Sequence, residues 1–168
     1  MEGADILLRV SGLSIAFAGF VSIAVRFQHP DHREWSAYVV VRFRNMLEVS
    51  LSALFFAILP FALFHLGLSG SRLWAAASAV LIVGLSLVTL RVYRRARPYI
   101  GVDLGRGFTR LTLSLTALVL IAQVLNVLGR MPVRRFGVYL VGVFWVLFFA
   151  AIQFLRLVVL PSPVGDDA

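Results

Sequence analysis

The side chains most able to bind ligands or carry out chemistry are a few polar residues within long apolar stretches. Glu48 begins one such stretch, one turn from Arg44, and Arg156 lies near the end of another. An ionised group in hydrocarbon costs about 3 kcal/mol or more unless it finds a partner. We therefore predict an ion pair between Glu48 and either Arg44 or Arg156. The alternative is a protonatable Glu48 that gates or relays protons.

A second set of polar residues forms a stripe along a single apolar stretch. Its members, spaced four, seven and three residues apart, are Thr112, Thr116, Gln123 and Asn126. At about 3.6 residues per turn, these positions share one face of a helix. The stripe favours hydrogen bonding between helices. The alternative is the lining of a path for an ion or solute.

A third pattern is a face of small residues near the start of the chain, consisting of Ser11, Ser14, Ala18 and Ser22, with Gly12, Ala16 and Gly19 beside it. Small side chains let helix backbones approach closely within a membrane. We predict that this face packs tightly against a neighbouring helix. The alternative is that this face lines a pore. The same face would also serve to form a dimer or larger ring.

Arginines are the main charged groups available for binding. All sixteen basic residues are Arg, and the densest cluster is Arg91, Arg94, Arg95 and Arg97. Such a cluster just cytoplasmic of a membrane span attracts anionic lipid headgroups, at about 1 kcal/mol per basic residue. We predict contacts with anionic headgroups here. The net charge of +8 is assigned to membrane topology rather than to nucleic acid.

Catalytic, cofactor and metal sites have little support in the sequence. The chain has no cysteine, which excludes disulfides, thiolate zinc sites and cysteine nucleophiles. His29, Asp31 and His32 are potential zinc ligands, but no fourth ligand lies near them, and we interpret them as a solvated loop. We expect no catalytic residues, no cofactor and no metal. An intramembrane enzyme acting on lipid is the least favoured function.

Long apolar stretches must position these residues. Of 168 residues, 60% are hydrophobic and 14% charged, against about 45–50% and about 25% in soluble domains. A span of the bilayer needs about 20 mostly apolar residues. We predict a single all-α transmembrane domain whose five spans cover residues 6–25, 46–68, 73–90, 111–128 and 136–160.

The connecting segments predict the orientation of the bundle. The loops 26–45 and 91–110 carry ten arginines, whereas the opposite side carries four. Because positive loops stay in the cytoplasm, we predict an external N-terminus and a cytoplasmic C-terminus. A capping box at Asp31 and Glu34 predicts that a helix begins in the first loop and runs into span two. Residues 161–168 are predicted to be disordered.

These patterns predict a multi-pass protein of the cell membrane, of the kind found in a bacterial inner membrane. The leading hypothesis is a non-enzymatic helix bundle that acts as an accessory or scaffolding subunit or that self-associates. The alternative is a small oligomeric ion channel or solute carrier lined by the stripe at Thr112–Asn126. The expected partners are the bilayer with its anionic headgroups, a second copy of the chain or another membrane protein, and no nucleic acid.

Overall fold

The apolar stretches form helices in the computed structural model, which describes residues 3–28, 37–99, 105–131 and 133–159. Five α-helices account for most of this part of the chain. They are α1 (Ala4–Gln28), α2 (Ala37–His65), α3 (Gly70–Ala96), α4 (Gly105–Val127) and α5 (Arg135–Val159). A short 3₁₀ turn, Arg97–Tyr99, follows α3. No described residue lies in a β-strand, so the all-α prediction is confirmed for these ranges.

Two glycines end helices and start short turns. Gly67 follows α2 and Gly129 follows α4, with φ values of 90° and 69°. In each case the glycine N–H bonds to the carbonyl three residues back, and the next N–H bonds to the carbonyl five residues back. This pair of bonds is the Schellman motif, which needs a left-handed residue and therefore favours glycine. The turns join α2 to α3 and α4 to α5 as helical hairpins.

Successive helices run in alternating directions. The start of α1 lies beside the start of α5, where Gly3 meets the ring of Phe136, and further along the two helices Phe17 packs edge-on against Phe154. Both hairpins place their turns at one end of the bundle, which we call the Asn126 end. The opposite end, the Arg42 end, holds the starts of α2 and α4 and the ends of α1, α3 and α5. The helix ends that flank the two arginine-rich loops therefore share one end.

The core lies where α2 and α5 pack on each other and on the remaining helices. It contains Val49, Leu81, Tyr139 and Val143, each almost inaccessible to solvent. Every helix also exposes large apolar side chains on its outer surface, for example Ile15, Phe55, Val83, Leu118 and Phe148. Soluble proteins rarely expose apolar surface on this scale, so the outer surface is suited to contact with lipid.

Four helical segments are long and apolar enough to cross a membrane, namely Ala37–His65, Gly70–Tyr99, Gly107–Val127 and Arg135–Leu155. They correspond to predicted spans two to five. The predicted crossing by α1 and the predicted orientation remain predictions. The helices fit an integral membrane protein with several spans.

The helices extend further than the spans predicted from hydropathy. α2 begins at Ala37 and α3 continues to Ala96, both inside segments assigned to loops. Arginine has a good helix propensity and a long apolar stem, so a helix continues past the hydrocarbon boundary at little cost. Pro60 lies within α2, which continues for five residues beyond it. The predicted capping box, the His29 group and the predicted disordered tail lie outside the described residues.

Candidate functional site

The predicted polar stripe of α4 faces the interior of the bundle. Gln123 and Asn126 have no exposed surface. The Gln123 amide nitrogen donates to the Val138 carbonyl at 2.7 Å, and the Asn126 amide nitrogen donates to the Arg135 carbonyl at 3.0 Å. Asn126 also donates to the Ser78 hydroxyl oxygen at 2.8 Å. These bonds connect α4 to α5 and to α3.

Thr116 and Thr112 continue the stripe toward the Arg42 end. Thr116 is buried and accepts a hydrogen bond from the Trp145 indole at 3.1 Å, while its own hydroxyl donates to the Thr112 carbonyl. Thr112 is half-buried, and its hydroxyl donates to backbone carbonyls of its own helix. Three of the four stripe residues therefore bond to another helix. Thr112 bonds only within α4 among the described contacts.

The interior of the bundle is closely packed around Gln123. A Cβ atom added to Gly142 would lie 2.7 Å from the Gln123 amide nitrogen and 3.1 Å from a methyl carbon of Leu81. The side-chain oxygens of Gln123 and Asn126 are buried, and neither accepts a hydrogen bond from the described residues. Buried acceptors of this kind are uncommon. The stripe thus combines close packing with two unused carbonyl oxygens.

Glu48 is paired with two arginines other than Arg44. One carboxylate oxygen contacts Arg95, and the other lies 3.4 Å from Arg91. Arg44, the predicted partner on the same helix, is exposed, and the Arg156 side chain lies outside the described residues. The antiparallel α2–α3 hairpin explains the difference, because it brings the start of α2 beside the end of α3. The prediction of Arg44 as the partner is therefore corrected to Arg95 and Arg91.

The same contacts divide the predicted lipid-binding arginines into two pairs. Arg91 and Arg95 bind Glu48, and Arg95 also donates to the Asn45 amide oxygen at 3.3 Å. Arg94 and Arg97 are exposed at the Arg42 end. The second pair therefore presents its charge outward, where headgroups would lie if the bundle spans a bilayer.

The predicted small-residue face of α1 is turned inward at two of its four positions. Ser11 and Ser14 are buried, and their hydroxyls donate to the carbonyls of Leu8 and Val10 on α1 itself. Ala18 is half-buried, and the Ser22 side chain lies outside the described residues. α1 packs on α2 and α5. The inward serines serve packing inside one copy of the chain.

A cavity at the Arg42 end was not foreseen from the sequence. It has a volume of about 100 Å³ and lies between the starts of α2 and α4, the last turns of α3 and the part of α5 from Trp145 to Gln153. Arg42 lines it with only 9% of its surface exposed, and the guanidinium carbon lies 4.6 Å above the Tyr38 ring centre. Asn45 and Thr112 also line it. Tyr38, Arg42, Asn45 and Val49 are spaced three or four residues apart and share one face of α2. From the sequence, Arg42 was counted only among the arginines that predict the membrane orientation.

The described residues of the polar stripe and of the Arg42 end supply hydrogen-bonding and charged side chains. Within the described ranges, no three His, Asp or Glu side chains lie close enough to hold a metal. The polar groups described above are amides, hydroxyls, guanidinium groups and the Glu48 carboxylate, each of which donates or accepts hydrogen bonds. No protein-family model matches the chain, and neither does any curated protein or solved structure. Its function must be argued from its own residues.

Proposed function

We propose that the protein is a non-enzymatic helix bundle of the cell membrane that works by association, as an accessory or scaffolding subunit that binds a second copy of itself. In this proposal α1 also crosses the bilayer, which gives five spans, and the Arg42 end faces the cytoplasm. The proposal is carried by the hydrogen bonds through which Gln123 and Asn126 of the polar stripe hold α4 to α5 and α3.

The close packing around Gln123 argues for a bundle without a transport path. The cavity wall on α4 extends from Phe108 to Thr116. Gln123 lies two turns farther along α4, about 10 Å away at 1.5 Å per residue. There it meets Leu81 and Gly142, which leave no room for an extra methyl group. The polar groups in the middle of the bundle are therefore used to hold helices together, which is a common role for them in membranes.

The outer surface of α1 supports association. Gly12 and Gly19, seven residues apart, are exposed, and a Cβ atom at either would have no heavy atom within 4 Å. Large apolar side chains, including Leu8 and Ile15, flank these glycines on the exposed surface. Because Ser11 and Ser14 are already packed inside, this glycine surface is the part of α1 left for a second copy. Close approach at glycine is a common mode of helix association in lipid.

Cysteine accessibility tests the closed core. The chain contains no cysteine, so a single introduced thiol reports on one position. In intact membranes, we expect Gln123→Cys to resist a water-soluble maleimide until the protein is denatured. Ser69→Cys, in the exposed α2–α3 turn, is the matched positive control and should react at once. Rapid labelling of Gln123→Cys in the folded protein would contradict the closed core.

Energy transfer between labelled copies in liposomes tests association. We expect transfer that increases with the protein-to-lipid ratio. Gly12→Ile should reduce it, because the larger side chain separates the two backbones. Gly137→Ile is the matched control, since a Cβ atom at Gly137 on α5 also meets nothing within 4 Å. The absence of transfer for the unmodified chain at every ratio would overturn the proposal.

A small ion channel or solute carrier is the second candidate. The observation that favours it is the pair of buried oxygens on Gln123 and Asn126, which accept no hydrogen bond from the described residues. Such oxygens are ligands for cations or acceptors for a permeating donor. Flux of protons, K⁺ or Cl⁻ into liposomes, abolished by Gln123→Leu and retained in Leu118→Ala on the outer surface of α4, would favour this function over the scaffold.

A further inference from the structure

The outer surface of the bundle carries a groove between α2 and α3, which we call the α2–α3 groove. The apolar residues that line it include Leu51, Phe55, Val80, Val83 and Leu87. It has a volume of about 910 Å³, within the range of about 300–1,000 Å³ that is usual for ligand sites. Gly84 of α3 also lines it, and a Cβ atom there would lie 2.6 Å from the Phe56 ring of α2. The absence of a side chain at Gly84 therefore lets the two helices approach each other closely.

The charged residues of the α2–α3 groove all lie at its Arg42 end. Arg44 and Glu48 come from α2, and Arg91 and Arg95 come from α3. Toward the Asn126 end the lining is apolar, apart from Ser52, whose hydroxyl donates to the Glu48 carbonyl of its own helix. The groove is thus polar at one end and apolar along the rest of its length, as a site for an amphiphile must be.

The apolar part of the groove has the length of a lipid chain in one leaflet. Between Arg91 and Ala79, which both line the groove, α3 rises about 18 Å at 1.5 Å per residue. Half of the hydrocarbon core of a bilayer is about 15 Å thick. Phe55 and Val83, on opposite walls, are 54% and 61% exposed. An acyl chain that extends inward from the headgroup region can therefore lie along the whole groove.

The charges of the groove favour an anionic headgroup. Among the described lining residues, three arginines and one glutamate give a net charge of +2. Glu48 contacts Arg95 directly, so its charge is offset within the groove. Arg91 lies 3.4 Å from the other carboxylate oxygen, but its side chain is 59% exposed, and a guanidinium group has five N–H donors. Arg44 is exposed, and no ion pair joins it to a residue in the described ranges.

We infer that the α2–α3 groove binds one anionic phospholipid of the surrounding bilayer. The lipid phosphate accepts hydrogen bonds from Arg44 and Arg91, because the planar guanidinium group donates in pairs that suit phosphate oxygens. One acyl chain lies along the apolar lining from Leu87 to Val80, and the other faces the bulk lipid. The inference requires that the bundle crosses a bilayer with its Arg42 end near one surface. It does not depend on self-association or on which side of the membrane that end faces.

Lipid titration followed by native mass spectrometry tests the inference. Protein in a neutral detergent is mixed with phosphatidylglycerol or with phosphatidylcholine of the same chain length. We expect one phosphatidylglycerol to bind saturably, and about tenfold or more tightly than phosphatidylcholine, because its headgroup carries a net negative charge. Excess inorganic phosphate, which has no acyl chain, should not displace it. Equal affinities for the two phospholipids would overturn the inference.

Two double variants that remove the same charge separate the groove from the rest of the basic surface. Arg44→Gln/Arg91→Gln removes two charges from the groove and should weaken phosphatidylglycerol binding about tenfold or more. Arg94→Gln/Arg97→Gln is the matched control, since both residues are exposed at the same end and neither lines the groove. The control should weaken binding clearly less. Arg95 is kept in both variants, so that the carboxylate in the groove keeps a partner. Equal losses in the two variants would overturn the inference.

Photolabelling of the unmodified chain avoids reliance on a variant that fails to fold. The probe is phosphatidylglycerol with a photoactivatable group midway along one chain, added as a trace to phosphatidylcholine liposomes that contain the protein. We expect the strongest labelling at Leu51 or Val83 in the groove. Leu118 on α4 and Phe148 on α5 are controls of comparable exposure, at 62% and 55%. Labelling of these controls that is as strong as labelling in the groove would show a non-specific lipid shell and overturn the inference.

Discussion

The hydroxyl of Tyr139 on α5 donates a hydrogen bond to the backbone carbonyl of Phe56 on α2, across a distance of 2.5 Å. In a regular helix that carbonyl would accept from the residue four positions later, which here is Pro60. Proline has no N–H to donate. Tyr139 therefore supplies the bond that Pro60 removes, at a position where both groups are buried.

The first prediction concerns this bond. Tyr139→Phe should lower the free energy of unfolding by about 1–3 kcal/mol, because it leaves a buried carbonyl without a donor. In a Pro60→Ala background the same substitution should cost clearly less, since the introduced alanine has a backbone N–H that can donate to the Phe56 carbonyl. Unfolding titrations in mixed micelles on the four proteins of this cycle provide the measurement. Additive effects would show that Tyr139 acts through packing alone.

The second prediction compares two members of the polar stripe. Asn126→Leu should lower the free energy of unfolding by about 1–3 kcal/mol, since it removes the donor to the Arg135 carbonyl and to Ser78. Thr112→Val should change it by only about 0.5 kcal/mol, because the Thr112 hydroxyl bonds to its own helix. The same titration measures both variants. Equal costs at the two positions would contradict the interhelical role of Asn126.

The third prediction concerns the partners of Glu48. The Glu48 and Arg95 side chains are 20% and 25% exposed, whereas Arg91 is 59% exposed. Coupling between exposed charges is weak, at about 0–1 kcal/mol, so the coupling between Glu48 and Arg95 should exceed that between Glu48 and Arg91. Double-mutant cycles with Glu48→Gln measure both values. Arg44→Gln is the control and should be additive with Glu48→Gln, and a strong coupling there would restore the partner first predicted.

The fourth prediction uses two glycines of α5. Gly142→Ala should be destabilising, because its Cβ atom would lie 2.7 Å from the Gln123 amide nitrogen and would disturb the bond to the Val138 carbonyl. Gly137→Ala has open space and should be neutral or stabilising by about 0.5–1 kcal/mol through helix propensity. Thermal unfolding of the two variants in the same lipid measures the contrast. Similar effects of the two substitutions would show that the level of Gln123 is loosely packed.

Periodicity indicated which polar and small residues share a helix face. The stripe from Thr116 to Asn126 is buried, and Ser11 and Ser14 lie on the packed side of α1. A helix rotates by a constant angle per residue and polar groups avoid hydrocarbon, so regular spacing places such residues on one face. The hydropathy of the chain also located the four helices that are long and apolar enough to cross a membrane, with ends displaced by several residues.

The contact partner of each polar side chain could not be predicted from the sequence, because it depends on which helices are neighbours and how each helix is rotated. The position of Glu48 in an apolar stretch predicted that a cation lies near it. That this cation is Arg95 follows from the α2–α3 hairpin. Pro60 leaves the Phe56 carbonyl without its usual helical donor, and Tyr139, which bonds to that carbonyl, lies 83 positions away from Phe56 in the chain. The cavity beside Arg42 depends on four helices at once.

The turns that end in Gly67 and Gly129 bear on the order in which the helices assemble. With the turn closed, an antiparallel helix pair can enter the bilayer as one unit, because its backbone groups are bonded internally. Asn126 has one acceptor inside its own hairpin, the Arg135 carbonyl, and another on the preceding hairpin, the Ser78 hydroxyl. The first forms when the later hairpin closes and the second only when the two hairpins meet. Closure of the hairpin and docking of the two hairpins are therefore separable, and we expect Ser78→Ala to leave both hairpins closed while it loosens the final assembly.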